Sequence, residues 1–138
     1  MKFENSKYSK LIPFKKVEFS FGSFYITELF IISEFKEGVH VDYNIASDLI
    51  SHFSDELIKG IKIGYIANRY NSYSFDPHTW VDFNSEYDAF IASAIVTYSD
   101  FSYLNASLEK KFFKKSLKRC TNLDEAIEWM INLDEFKK

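Results

Sequence analysis

Apolar and polar positions change their spacing several times along the chain, and each change marks an element. Val17, Phe19 and Phe21 alternate with Glu18 and Ser20, the period of a strand with one buried face. Gly22-Ser23 is the expected hairpin turn into a second, largely buried strand over 24–33, carrying Ile26, Leu29, Phe30, Ile31 and Ile32. Glu37-Gly38 closes that pair, and 39–41 reads as a short extended link. The spacing then becomes helical. Ile45, Leu49, Phe53 and Leu57 form a stripe widened by Ala46, Ile50 and Ile58, which predicts a helix over 43–58 capped by Asp42 or Asn44 and stopped by Gly60.

A short, β-leaning run over 62–67 is apolar enough to be a strand covered on both faces. The polar loop over 68–74 leads to Asp76-Pro77, a helix start in which a carboxylate caps free N–H groups and a proline ring suits the first helical position. Further along, the pattern predicts a short helix over 77–83, a buried strand over 89–98 and a third helix where Leu104, Leu108 and Phe112 repeat. An edge strand over 116–120 follows, with Lys118 and Arg119 guarding its outside. Thr121-Asn122-Leu123-Asp124 has the form of a capping box with aspartate in the usual glutamate position, opening a last helix with Leu123, Ala126, Ile127, Met130 and Ile131 on one face. These elements make an N-terminal arm over 1–14 and a single α/β domain over 15–136.

Composition narrows the function classes. The 138 residues suffice for one genuine core, and with 4 Gly and 2 Pro there is little material for long linkers. A net charge of -3 gives no pull toward nucleic acid, and the basic run over 110–119 reads most simply as a solvated helix face. A single cysteine, Cys120, rules out an internal disulfide and suits a reducing cytoplasm. The first residues lack the apolar core of a secretory signal, and the longest apolar stretch falls far short of the roughly 20 residues that span a bilayer. The expectation is a cytoplasmic chain with no stable membrane insertion.

The order strand, strand, helix, strand, helix, strand, helix, strand, helix resembles the STAS-like fold of anti-sigma-factor antagonists and their lipid-transfer-like relatives. The pieces that carry the resemblance are Glu37-Gly38, Tyr65-Ile66-Ala67-Asn68-Arg69, Tyr73-Ser74-Phe75-Asp76-Pro77, Ala92-Ser93-Ala94-Ile95-Val96 and Thr121-Asn122-Leu123-Asp124-Glu125-Ala126-Ile127-Glu128-Trp129, spanning roughly 17–133. The resemblance implies a two-layer fold, a mixed five-stranded sheet with about four helices mainly on one face, and a binding rather than a catalytic role. In anti-sigma-factor antagonists a phosphorylated serine opens the helix after the third strand. Ser72 and Ser74 stand in comparable places, making them the candidate phosphorylation positions, although Tyr73-Ser74-Phe75-Asp76-Pro77 replaces the family's Asp-Ser-Ser/Thr-Gly.

The chemistry of the residues agrees with binding. Asn68, Arg69, Tyr70, Tyr73 and Phe75 make the candidate binding set, because a polar loop at a strand's carboxyl end is where α/β sheets usually meet ligands and partners. Tyr and Phe there bring large area at little conformational cost. Arg69 could clamp an anion bidentately or fix the loop by pairing with Asp76, Asp100 or Glu37. Ser72 and Ser74 read more simply as loop hydroxyls bonding nearby backbone. His40, His52 and His78 show no metal-ligand spacing, Cys120 has no histidine partner in view, and no acid–base pair with an orienting group is visible. The expectation is therefore a non-enzymatic chain with no cofactor and no metal, binding a protein partner or itself as a homodimer. The alternative is a domain holding a small anionic or lipid-like ligand.

Overall fold

A computed structural model describes residues 1–58, 63–71, 73–76, 90–99 and 116–133, with the side chains of 50, 53–58, 74, 75, 90 and 116 outside the description. Two expected helices, over 77–83 and around Leu104 to Phe112, lie outside the described residues, as do Gly60, Ser72, His78 and Asp100.

The strands are β1 (Lys15–Phe19), β2 (Gly22–Ile26), β3 (Phe30–Phe35), β4 (His40–Val41), β5 (Ile63–Asn68), β6 (Ser74–Phe75), β7 (Phe90–Val96) and β8 (Ser116–Cys120). The helices are α1 (Tyr8–Leu11), α2 (Tyr43–Ile58) and α3 (Leu123–Ile131), with a 3-10 turn at Phe3–Asn5. Six strands form one mixed sheet in the order β1-β2-β3-β5-β7-β8, while β4 and β6 pair apart from it. The first three strands are an antiparallel meander, and β3, β5, β7 and β8 run parallel. β5 is thus central, as its unbroken apolar run required.

The sheet has six strands rather than the expected five because the run over 24–33 breaks at Thr27. The Thr27 hydroxyl donates to the Phe30 carbonyl at 2.9 Å and accepts from the Phe30 N–H at 3.0 Å, and the Thr27 N–H donates to the same carbonyl at 2.9 Å. That knot reverses the chain inside an apolar stretch. The first hairpin also differs from expectation: Phe19 pairs with Gly22, so Ser20-Phe21 is the turn and Gly22 lies in β2. A Cβ at Gly22 would sit 2.7 Å from the Glu34 carbonyl oxygen, so close strand approach, not turn geometry, demands glycine there. The expected link over 39–41 contains β4, which pairs in parallel with β6 through His40–Ser74 and Val41–Phe75.

Among the described residues there are three α-helices rather than four, and they do not share one face. Leu123, Ala126, Ile127 and Met130 of α3 pack with Phe3, Tyr25, Phe30, Ile32, Ile66 and Ala94. Ile45 and Leu49 of α2 pack instead with Phe24, Ile31, Phe35 and Val41. Successive residues of one strand point to opposite faces, so Phe30 and Ile32 against Ile31 and Phe35 define two cores, one on each side of the sheet. The two-layer expectation gives way to a sheet covered on both faces. The helix starts are settled too: the Asp42 carboxylate accepts from the Ile45 N–H at 3.2 Å, and Asn122, not Thr121, caps α3 by accepting from the Glu125 N–H at 2.8 Å. The Thr121 N–H in turn donates to the Glu125 carboxylate at 3.1 Å, so glutamate takes the box position after all, one residue later than expected.

Candidate functional site

The carboxyl ends of β3, β5 and β7 lie side by side, and the residues expected to bind gather there in two groups. Asn68, the last residue of β5, is almost fully buried. Its side-chain N–H groups donate to the Met1 carbonyl at 2.9 Å and to Glu34 Oε2 at 2.8 Å, while its Oδ1 accepts from the Tyr98 hydroxyl at 2.7 Å. Every polar atom of the amide is used, which fixes its orientation. Glu34 Oε2 also accepts from the Phe3 N–H at 2.6 Å, and the Tyr98 hydroxyl lies 3.2 Å from the Met1 carbonyl. Glu34, Asn68 and Tyr98 hold the first three residues of the chain against the sheet.

Burial pushes the Glu34 carboxyl above its ordinary value, opposed by the Phe3 N–H and the Asn68 amide that bond to it. Burial, with the nearby Glu34 charge, also pushes the Tyr98 phenol up to about 12, so it stays a neutral donor. Beside this cluster, Glu4 accepts from the Tyr25 hydroxyl at 2.6 Å and pairs with Lys16, and those two contacts hold its carboxyl below the ordinary value.

The second group lies toward the α2 face. The Arg69 guanidinium stands 5.5 Å from the Tyr73 ring centroid, and Tyr73 packs on Phe35 at 5.1 Å. Arg69 is anchored by its own backbone N–H, which donates to the Val96 carbonyl at 3.0 Å, and the Asn71 side chain donates to the Phe35 carbonyl at 3.1 Å. Tyr70 sits between the groups, edge-on to Tyr98 at 6.1 Å and 5.9 Å from the Lys2 ammonium. Tyr70 is 48% and Tyr98 42% exposed, an aromatic pair facing solvent. Ser74 and Phe75 are placed by backbone only, as β6 against β4. Ser72 lies outside the described residues, so neither serine's hydroxyl environment enters the description.

Glu34 is not among the candidate residues that the sequence singles out, and the pattern over 1–14 shows only an arm. A signal was available. Glu34 shares strand parity with Phe30 and Ile32, so a carboxylate had to enter a buried face and find donors there. Phe3, fully buried with ring contacts to Phe14 at 5.1 Å and Tyr25 at 5.0 Å, carried no such signal.

An apolar groove of about 440 Å³ lies elsewhere, between Ile12, Pro13 and Phe14 and the β2–β3 turn, with Ile131 at its edge. Cys120 is buried and its thiol is pushed up to about 12 by burial, with Glu125 adding to the shift. Among the described residues no helix is long and apolar enough to cross a membrane, and no group of three or more His, Cys, Asp or Glu is placed to hold a metal.

Strand order and the central parallel strand give the chain a STAS-like α/β fold. The same architecture occurs in the crystal structure of an uncharacterised protein of the DUF3478 family with a SpoIIAA-like fold from Shewanella loihica PV-4, with a TM-score of 0.54 over 86% of this chain and 93% of that one. Identity is 11%, so the likeness is one of fold. No protein-family description and no curated protein matches the sequence.

Proposed function

We propose that this chain is a non-enzymatic STAS-like interaction module that binds a protein partner, or a second copy of itself, through the loop after β5. The observation that carries the reading is the rim: Arg69 stacked on Tyr73, beside the exposed pair Tyr70 and Tyr98. Aromatic and arginine side chains are those most enriched where protein surfaces bind strongly. The far end of the loop is also tied to the body of the protein, through the β4–β6 pair and the Asp76 N–H donating to the Val41 carbonyl at 2.9 Å. A pre-ordered surface loses less entropy on binding.

A photo-cross-linkable residue at Tyr70, introduced in the native host, tests this. The expected result is a discrete cross-linked polypeptide that disappears when Arg69→Ala and Tyr73→Ala are added. Unchanged cross-linking in that double variant removes this face from consideration. The alternative, a small anionic or lipid-like ligand, has the apolar groove at Phe14 and Ile131 as its one supporting observation. Native mass spectrometry of the purified protein would then show a retained small molecule.

A further inference from the structure

The way the arm is held has the form of peptide recognition. Glu34 takes one backbone N–H, that of Phe3, and Asn68 and Tyr98 face one backbone carbonyl, that of Met1. Between them Lys2 is extended, with φ -74° and ψ 150°. An acceptor for an N–H and an amide donor for a carbonyl, the amide oriented by the Tyr98 hydroxyl, read main chain rather than sequence. Side-chain selection comes from the next two positions. The Phe3 ring is fully buried between Phe14, Tyr25 and the sheet, and the Glu4 carboxylate meets the Tyr25 hydroxyl and Lys16. The arm adds no strand to the sheet, and Lys2, Glu4 and Asn5 are exposed.

The geometry points to Glu34, Asn68 and Tyr98 as a clamp for a peptide that is extended at one residue and then turns at an aromatic residue followed by an acidic one, a site that the chain's own residues 1–5 occupy in cis. The occupant in trans is a partner segment of that chemistry. A free carboxylate in place of the N–H is excluded by charge, because Glu34 already presents one. This clamp goes beyond the loop surface proposed above, sharing Asn68 with the candidate binding set and Tyr98 with the exposed rim; Arg69 and Tyr73, whose variants test the loop surface, lie toward the other face, so the two readings fail separately.

The test uses the full chain and a fluorescein-labelled synthetic peptide copying residues 1–10. Because the tethered arm competes at millimolar effective concentration, a chain with Phe3→Ala should bind the peptide about tenfold or more tighter than wild type. Replacing phenylalanine by alanine, or glutamate by lysine, in the peptide should abolish binding, whereas Arg69→Ala/Tyr73→Ala in the chain should leave it intact. Equal binding of all three peptides, or none to the Phe3→Ala chain, overturns the clamp. Phe3→Ala removes a buried ring, so hydrogen exchange on the wild type gives a second reading that needs no variant. The Phe3 amide should exchange through local release of the arm, about 100-fold or more faster than the Ile66 amide. Exchange of both only by global unfolding makes the arm a permanent part of the core and ends the proposal.

Discussion

Glu34 places a carboxylate on the same strand face as Phe30 and Ile32, and its neighbours decide what that costs. Oε2 takes both the Phe3 N–H and the Asn68 amide, so a proton on the other oxygen leaves both bonds in place. Burial therefore dominates and raises the folded-state value. The folded chain holds this proton more tightly than the unfolded chain, so the contribution of Glu34 to stability is full below its ordinary value and is lost as pH rises through the raised one. Glu34→Gln keeps an acceptor without the charge. The wild type should thus lose stability relative to Glu34→Gln as pH rises from the ordinary carboxylate range toward neutrality, measured as the difference between urea midpoints. A pH-independent difference would show that desolvation of this group does not matter. Cys120 makes a second residue-scale prediction: a buried thiol pushed up to about 12 should resist a disulfide reagent at pH 8 until urea unfolds the chain.

At the scale of elements, α3 depends on its start and on one close approach to the sheet. Asn122→Ala removes the acceptor for the Glu125 N–H and should cost about 1 kcal/mol in urea unfolding. Gly64 in β5 admits Met130 of α3 so closely that an added Cβ would overlap the methionine sulfur. Gly64→Ala should then destabilise by about 1–3 kcal/mol, as overpacking does. In a double-mutant cycle, Met130→Ala should recover part of that loss, giving coupling of about 0.5 kcal/mol or more. Additive effects would mean that helix and sheet separate freely at this point. The same alanine and glycine positions, Gly64, Ala92 and Ala94, explain how α3 lies against the parallel strands at all.

For the molecule as a whole, protection should follow strand order. β5 and β7 are flanked on both sides and covered on both faces, whereas β1 is an edge with exposed Lys15, Lys16 and Glu18. Amides of Ile66 and Ala94 should exchange slowest and those of β1 fastest among the strands, by hydrogen exchange with NMR. Charges placed this way on an edge strand disfavour pairing with another chain. The opposite ends of the sheet differ in chemistry: the carboxyl rim carries Glu34, Asn68, Arg69 and the tyrosines, and the groove beside the β2–β3 turn is apolar. A sheet with both faces covered leaves its two ends as the surfaces where binding can occur.

Local order fixed much of this. Alternation in β1, the apolar run of β5, the first turns of the α2 stripe at Ile45 and Leu49 and the apolar face of α3 are properties of neighbours in sequence; these elements appear where the pattern put them, although Phe21 falls in the turn and Ile131 at the end of α3 stays exposed. The loop after β5 was placed at a strand's carboxyl end for the same reason. The turn at Thr27 was hidden, because an apolar run reads alike whether it continues or folds back. Which face each helix covers, the docking of Phe3 and the meeting of Glu34 with Asn68 and Tyr98 were decided only by tertiary structure. Those contacts join residues 30 or more apart in the chain, and a donor or acceptor does not show in its own sequence context which distant group will satisfy it.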